Sequence, residues 1–178
     1  MKPEYRKIFM TLTIPLLFMS ICTGQPKSLG TTFSLSGIAL SYEHITNYES
    51  FFDISIKAEC GDMFFGKAVF PGVTGSFTWN HIFARKESRN GNDIRFFAGP
   101  GLTFGWCNDL LKPIGYMFGL KGRVGAECEF DRHVILSASL SPTIGTHIRI
   151  FDDHVDMRYY RMGIISALMP EIGIRYAF

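Results

Sequence analysis

The chain ends with Glu171-Ile172-Gly173-Ile174-Arg175-Tyr176-Ala177-Phe178, a stretch in which large apolar residues alternate with polar or small ones. Successive side chains of a β-strand point to opposite faces, so this stretch has two different surfaces when it is extended. One face carries Ile172, Ile174, Tyr176 and Phe178, and the other carries Glu171, Gly173, Arg175 and Ala177. The first face suits lipid, and the second suits a polar interior.

The same period of two recurs through most of the chain. Between Tyr116 and Phe130, for example, large apolar residues alternate with glycine and charged residues. Similar runs cover 94–106 and 134–148; they exceed the usual soluble strand and suffice for a tilted bilayer crossing of roughly 9–11 residues. A soluble lipocalin-like barrel is the alternative, and it would place the apolar face inside. The pattern favours an all-β fold, a transmembrane antiparallel up-and-down β-barrel.

The number of strands depends on one change of phase. Seven alternating runs are apparent, at residues 38–46, 51–60, 73–83, 94–106, 114–130, 133–148 and 163–178, whereas single-chain bacterial barrels normally have an even number of strands. The apolar phase changes at Ser36-Gly37, where a two-residue hairpin turn would pair Leu35 with Ile38. Residues 28–35 then form the first of eight strands. A β-bulge within one longer strand is the alternative.

The N-terminal residues have the order of a secretory signal peptide. Lys2, Arg6 and Lys7 precede an apolar run at residues 8–21 that is too short for a spanning helix, and small residues follow it. This order is typical of a signal peptide cleaved after Gly24. We therefore predict a removed signal peptide at 1–24 and a single barrel domain at 25–178, with a retained anchor as the alternative.

The C-terminal stretch also resembles a known signal. Glu171, Gly173, Tyr176 and the terminal Phe178 are similar to the assembly signal on the last strand of Gram-negative outer-membrane β-barrels. Together with the signal peptide and the alternating body, they make the chain resemble the small outer-membrane β-barrel domain proteins. The resemblance implies the outer membrane of a Gram-negative bacterium as the location. It implies outer-membrane lipid, lipopolysaccharide and the barrel-assembly machinery as partners.

Orientation follows from a periplasmic C-terminus, which the resemblance implies. Segments 61–72, 107–113 and 149–162 are then extracellular, where they can present a surface to an unidentified partner. Segments 47–50 and 84–93 and the turn at residues 131–132 are periplasmic. Long outer loops and shorter inner ones are usual for such barrels.

Charged residues of both signs fall on the predicted inner face. Eight strands leave an interior just wide enough for side chains to fill, so we expect these residues to form a charge network in place of an apolar core. The network comprises Glu43, Asp53, Lys57, Glu59, Arg95, Lys121, Arg123, Glu127, Glu129, Glu171 and Arg175. A path for protons or small ions is the alternative.

No catalytic or metal-binding constellation is apparent in the sequence. His44-Ile45-Thr46, with Glu43 nearby, is similar to the His-x-Ser pair of outer-membrane lipid A deacylases, but Thr replaces Ser and the position is N-terminal. The histidines lack metal-ligand spacing, no cofactor motif is present, and a formal net charge of +2 does not favour nucleic acid. We predict a non-enzymatic envelope component or loop-presenting scaffold without a cofactor. A lipid A-modifying enzyme and a narrow channel are the alternatives.

Three cysteines follow the predicted signal peptide. Cys60 and Cys107 both fall near the predicted outer rim, where a disulfide is compatible with an oxidising compartment. Cys128 lies on the lipid face and is expected to stay free.

Overall fold

The computed structural model describes residues 27–60, 72–87, 92–109, 112–130, 133–151 and 153–178. The predicted signal peptide and residues 61–71 of the first predicted extracellular segment lie outside these ranges. The described residues form β1 (Lys27–Ser34), β2 (Gly37–Asn47), β3 (Ser50–Glu59), β4 (Gly72–Glu87), β5 (Asp93–Asp109), β6 (Lys112–Phe130), β7 (Val134–Leu140), β8 (Thr143–Ile150), β9 (Val155–Tyr159), α1 (Arg161–Ser166) and β10 (Glu171–Ala177). Within them, no helix has both the length and the apolar composition required to cross a bilayer.

The strands close into one antiparallel barrel. Neighbours follow the order β5-β4-β3-β2-β1-β10-β7-β6-β8-β9, and a pairing between β5 and β6 completes the circle. The strand segments make eight wall strands, because β7 and β8 share one position and β9 and β10 share another. The predicted up-and-down barrel of eight strands is therefore confirmed. Both ends of the described chain meet, since Lys27 and Phe178 exchange backbone hydrogen bonds of 3.3 and 2.9 Å. We call this the terminal end, and the opposite one the distal end.

The first hairpin exists, but its predicted register was wrong. Phe33 pairs with Ile38 and Ser34 pairs with Gly37, so the turn residues are Leu35 and Ser36. Gly37 belongs to β2, where it has a φ of 154° and where a Cβ would overlap with the carbonyl oxygen of Ala58 on β3. The glycine therefore serves the close approach of two strands. The alternative of a β-bulge in one longer strand is excluded by this pairing.

The seventh wall strand is interrupted at a proline. Val124 of β6 pairs with Leu140 of β7, and Lys121 pairs with Thr143 of β8, so both segments keep one register with β6. Pro142 lies in the interruption and has no N–H to donate to the ladder. Its carbonyl oxygen still accepts a hydrogen bond of 2.8 Å from the Gly122 N–H. The seventh wall strand is thus formed by two segments, β7 and β8, that run in the same direction along β6.

The eighth wall strand differs from the predicted run at 163–178. Tyr159 pairs with Thr146 and Glu171 pairs with Ser139, so the eleven residues 160–170 span the stretch that the six residues 140–145 cover. The five additional residues are an odd number, so the outward positions change from odd-numbered to even-numbered residues between β9 and β10. Val155, Met157 and Tyr159 point outward on β9, and Ile172, Ile174 and Tyr176 point outward on β10. The extra residues form α1, which the alternation of this segment did not predict.

Two predicted extracellular loops are mostly strand. Instead of a loop at 107–113, β5 continues to Asp109 and β6 begins at Lys112. Segment 149–162 contains the end of β8, all of β9 and the start of α1. The predicted periplasmic loop at 84–93 is likewise shortened, since β4 continues to Glu87 and β5 begins at Asp93. Continued hydrogen bonding between neighbouring strands explains the extensions.

The wall has a pronounced stagger. A path of paired residues leaves Ala138, circles the barrel once and returns to the same wall strand at Ile148, ten positions further along. It passes through Ile172, Phe33, Ile38, Ala58, Val73, Trp106 and Tyr116. Such a stagger requires strands tilted by roughly 35–45° from the barrel axis. Every residue on this path is apolar or aromatic.

Candidate functional site: the charged lumen

The barrel is apolar outside and polar inside. Each wall strand exposes at least one large apolar residue, as shown by Phe33, Leu40, Ile56, Phe77, Leu102, Leu120, Leu136 and Ile174. The buried inward-facing residues of the same strands are Thr32, Ser41, Asp53, Thr78, Thr103, Arg123, Ser137 and Arg175. A lipocalin-like barrel would have the opposite arrangement. Charges and hydroxyls therefore occupy the interior in the place of an apolar core.

Six charged residues meet in the terminal half of the lumen. Arg175 of β10 lies at their centre: its Nη1 is 3.1 Å from Glu43 Oε2 and 3.4 Å from Asp53 Oδ2, and its Nη2 bonds Glu127 Oε1. Arg95 Nη2 lies 3.1 Å from Glu127 Oε2, and Arg123 Nη1 lies 3.1 Å from Asp53 Oδ2. We call this group, comprising Arg95, Arg123, Arg175, Glu43, Asp53 and Glu127, the arginine cluster.

The arginine cluster is neutral in sum and almost fully buried. Three guanidinium groups face three carboxylates, and Arg175, Glu43 and Glu127 are each at most 2 % exposed. Buried ions lose several kcal/mol of hydration each, so a partner charge must compensate every one of them. The planar guanidinium can contact several carboxylates at once, which a lysine could not do with the same geometry. These contacts join β2, β3, β5, β6 and β10 across the lumen.

A second, looser group occupies the distal half of the lumen. Lys57 Nζ lies 3.6 Å from Glu59 Oε1 and 3.9 Å from Glu171 Oε1, and it donates to Ser36 Oγ. Lys121 Nζ donates a 3.3 Å hydrogen bond to Ser76. Ser141 donates to Glu171 at 2.7 Å and Thr74 donates to Glu59 at 3.1 Å. We call Lys57, Glu59, Lys121 and Glu171 the lysine cluster. It borders a polar cavity of about 50 Å³.

Apolar residues close the lumen on both sides of these clusters. Phe51, Ile82 and Phe97 are buried together towards the terminal end, with the rings of Phe51 and Phe97 edge to face at 5.2 Å. We call these three the terminal plug. On the distal side Cys107, Met117, Tyr160 and Met162 form a second buried group, the distal plug. The two charged clusters thus lie between the terminal plug and the distal plug.

The eleven residues of the predicted charge network do not form one unit. Ten of them divide between the arginine cluster and the lysine cluster. Glu129 lies in neither: it is half-buried near the terminal end, where it lines a groove with Tyr48 and Arg85. Arg85 pairs there with Asp93 at 3.1 Å.

The four residues of the predicted assembly signal lie on different faces of β10. Glu171 belongs to the lysine cluster, and a Cβ at Gly173 would overlap with the Ser137 hydroxyl. Tyr176 points outward and its ring stacks on His133 at 5.5 Å. Phe178 is 65 % exposed, although its backbone is bonded to Lys27. The outward pair is therefore the accessible part of the signal.

The wall separates Glu43 from His44, the first residue of the pair that resembles a lipid A deacylase. Glu43 points into the lumen and contacts Arg175, whereas His44 belongs to an outward aromatic group and lies 5.0 Å from the Phe52 ring. Adjacent residues of a strand face opposite ways, so Glu43 cannot orient the His44 ring. Among the described residues, no group of three or more His, Cys, Asp or Glu side chains could hold a metal ion.

The cysteines at the distal end are free thiols. Cys60 is half-buried, whereas Cys107 is fully buried in the distal plug, with its Sγ 3.9 Å from the Tyr160 hydroxyl. The possible disulfide between them is not formed. Cys128 is free as well.

The distal plug and the hydroxyl partners of the lysine cluster were not predicted from the sequence. Tyr160 and Met162 lie in a segment predicted to be an extracellular loop, and Ser36 was predicted to be a turn residue. The sequence did contain a signal for the distal plug: the outward residues have odd numbers in Val155–Tyr159 and even numbers in Glu171–Ala177. An odd number of extra residues has to be accommodated between two such strands.

Comparison with known proteins adds no relative. The chain matches no protein-family model, no curated protein and no solved structure at a significant level. The functional proposal therefore rests on the fold and on the distribution of charge.

Proposed function

We propose that this chain is an integral outer-membrane β-barrel protein, a non-enzymatic envelope component that presents its distal segments as a scaffold. The reversed distribution of polarity is the single observation that carries the proposal. Leu40 and Leu120 are 55 % and 65 % exposed, whereas Arg175 and Glu127 are 2 % and 1 % exposed. In water this arrangement is unfavourable, because the leucines are exposed to solvent and the charged side chains are removed from it. In a bilayer the arrangement is favourable, because the leucines face lipid and the charged side chains face the polar interior.

The closed sheet supports the same proposal. A bilayer core offers no hydrogen-bond partners, so a spanning sheet must pair every backbone group and leave no edge. The pairing of β1 with β10 provides that closure here. Outward aromatic residues near both ends, such as Trp106 and Tyr116 distally and Phe130 and Tyr176 terminally, fit the aromatic girdles of such barrels.

The filled lumen favours a structural role over conduction. Two apolar plugs and two charge clusters occupy the interior, and the cavity between them is only about 50 Å³. In this proposal the clusters replace a core, and the function lies at the surface. The distal hairpin of β8 and β9 and segment 61–72 are the parts offered to a partner outside the cell. The outward Tyr176 and Phe178 are the parts offered to the barrel-assembly machinery.

Brominated lipids test the membrane assignment directly. The chain has two tryptophans, Trp79 and Trp106, and both are about half exposed on the outer wall. In liposomes carrying bromine on the acyl chains, we expect strong quenching of both, with Trp79 quenched from a deeper position than Trp106. Quenching by aqueous acrylamide with no response to bromolipid would contradict the proposal. Stable single-channel steps in planar bilayers would contradict the filled lumen but leave the membrane assignment intact.

A further inference from the structure

One short segment contributes two of the residues that cover the distal side of the polar cavity. Tyr160 and Met162 line the cavity together with Met117, and both are 5 % exposed. They lie at the start of α1, where the eighth wall strand is interrupted. On the terminal side the same cavity is bounded by the arginine cluster, beyond which lies the terminal plug. Among the described residues, the route into the cavity therefore lies on the distal side.

This segment is a poor helix by itself. α1 has six residues, contains Gly163 followed by two β-branched isoleucines, and has no side-chain cap of its own. Isolated helices of this length are unstable in water, and glycine and β-branched residues weaken them further. Among the hydrogen bonds that hold the segment to the wall are those from Tyr160 N–H to Gly145 O at 2.9 Å and from Met162 N–H to Asp109 Oδ1 at 2.8 Å. Its closed position thus depends on contacts with the barrel.

The cavity below is built differently from the arginine cluster. The contacts of Lys57 with Glu59 and Glu171 are 3.6 and 3.9 Å, longer than most of those around Arg175. Two ammonium groups, the Arg123 guanidinium and the three carboxylates of Asp53, Glu59 and Glu171 surround the space, with serine and threonine hydroxyls between them. A lone anion would meet the carboxylates, and a lone cation would meet the ammonium groups. A solute that carries both charges can pair with both kinds.

We propose that α1 is a lid over a dead-end chamber, and that the chamber takes a small zwitterionic solute from the distal side. The volume of about 50 Å³ exceeds what one water needs and suits a solute of about five non-hydrogen atoms. The carboxylate of such a solute pairs with Lys57 or Lys121, and its ammonium group pairs with Glu59 or Glu171. The lid and chamber lie inside the barrel, so the proposal does not depend on the surrounding membrane.

The rate at which the Cys107 thiol is modified measures how often the lid opens. Cys107 is fully buried under Tyr160 and Met162, so a water-soluble methanethiosulfonate reaches it only when α1 moves away. The test uses the full chain with Cys22, Cys60 and Cys128 changed to Ser, purified in detergent, with heat modifiability on gels as the check of folding. Mass spectrometry gives the rate of modification. We expect slow but complete reaction of the folded protein.

Gly163→Ala separates the lid from a fixed roof. A Cβ at Gly163 would overlap with the backbone oxygen of Thr143, so α1 must leave the wall. We expect labelling of Cys107 to accelerate at least about tenfold, because the open state gains population. Met162→Ala should act in the same direction by removing part of the roof. Gly75→Ala is the matched control, since its Cβ meets only the movable ring of Phe104 at 3.1 Å.

Two results would overturn the lid. One is a Cys107 that never reacts in any folded variant. The other is slower labelling in Gly163→Ala, which would mean that the higher helix propensity of alanine outweighs the contact with Thr143.

Glycine as the probe tests the chamber. A solute held beneath the closed lid favours the closed state, so glycine should slow the labelling of Cys107 in a saturable manner. Acetate and methylammonium, each with one of the two charges, should leave the rate unchanged at the same concentration. The same slowing by all three, or by none, would overturn the zwitterion site. Each of these results is independent of the bromolipid experiment, so failure of the membrane assignment is recognised separately.

Discussion

Gly30 and Arg175 face each other across β1 and β10, and the absent side chain of Gly30 is the space that Arg175 uses. A Cβ at Gly30 would lie 2.5 Å from Arg175 Cγ and would overlap with the carbonyl oxygen of Ile174. The central arginine of the lumen thus leaves the wall where the first and last strands close the barrel. One small residue links the closure of the sheet to the centre of the arginine cluster.

Gly30→Ala should weaken this seam. Overpacking of a filled interior costs about 1–3 kcal/mol, and part of the overlap here is with backbone that cannot rotate away. We expect a lower free energy of unfolding in denaturant titrations of the refolded protein. Gly75→Ala, whose nearest neighbour is the Phe104 ring, should change stability little. Equal stability of Gly30→Ala and the native chain would show that β1 and β10 are not held as closely as described.

Arg175→Met should be among the most damaging substitutions in the lumen. It leaves Glu43, Asp53 and Glu127 without their shared partner, and breaking a buried ion pair costs about 3–5 kcal/mol. Adding Glu127→Gln should restore part of the loss, because one uncompensated charge is removed. Arg158→Met is the control: this residue is exposed, and surface ion pairs contribute about 0–1 kcal/mol. An Arg175→Met variant as stable as the control would contradict a cluster that replaces a core.

Leu40→Arg and Val155→Arg distinguish lipid from water around the wall. The two residues are similarly exposed, at 55 % and 60 %, but Leu40 lies in mid-wall on β2 and Val155 at the tip of the distal hairpin. Arginine facing the middle of a bilayer costs about 2–4 kcal/mol, and about 0–1 kcal/mol near the interface. Unfolding titrations in liposomes should therefore show a loss for Leu40→Arg only. In a water-soluble barrel the two variants would behave alike.

Deletion of Phe178 separates assembly from stability. The side chain is exposed at the edge of the wall, so its packing in lipid contributes only about 1–3 kcal/mol. If Phe178 is part of the assembly signal, the deletion should strongly reduce folded protein in cells and barely affect refolding of purified protein into lipid. Pulse–chase labelling and gel-shift refolding measure the two. A similar defect in both would assign Phe178 to ordinary packing, and no defect in cells would remove it from the signal.

The face to which most wall residues point was predictable, because side-chain direction in a strand alternates from one residue to the next. Alternation assigned Ile172 and Arg175 to opposite faces, and the phase change near Gly37 indicated the extra hairpin. The exact pairing was not predictable, because it depends on the close contact between Gly37 and Ala58 on a different strand. Likewise, the division of the charged residues into two clusters depends on the register between strands, which no single strand contains: Glu43 lies opposite Asp53, and Arg95 lies opposite Glu127.

The sequence by itself determined an all-β chain with one apolar and one polar face, since side-chain direction in an extended strand depends only on position. Tertiary structure alone decided that residues 161–166 form a helix. Their own preferences favour a strand, but the phases of β9 and β10 differ by an odd number of residues. A continuous strand would turn one of the two apolar faces into the charged lumen. A helical turn over the cavity absorbs the difference and keeps both faces outward.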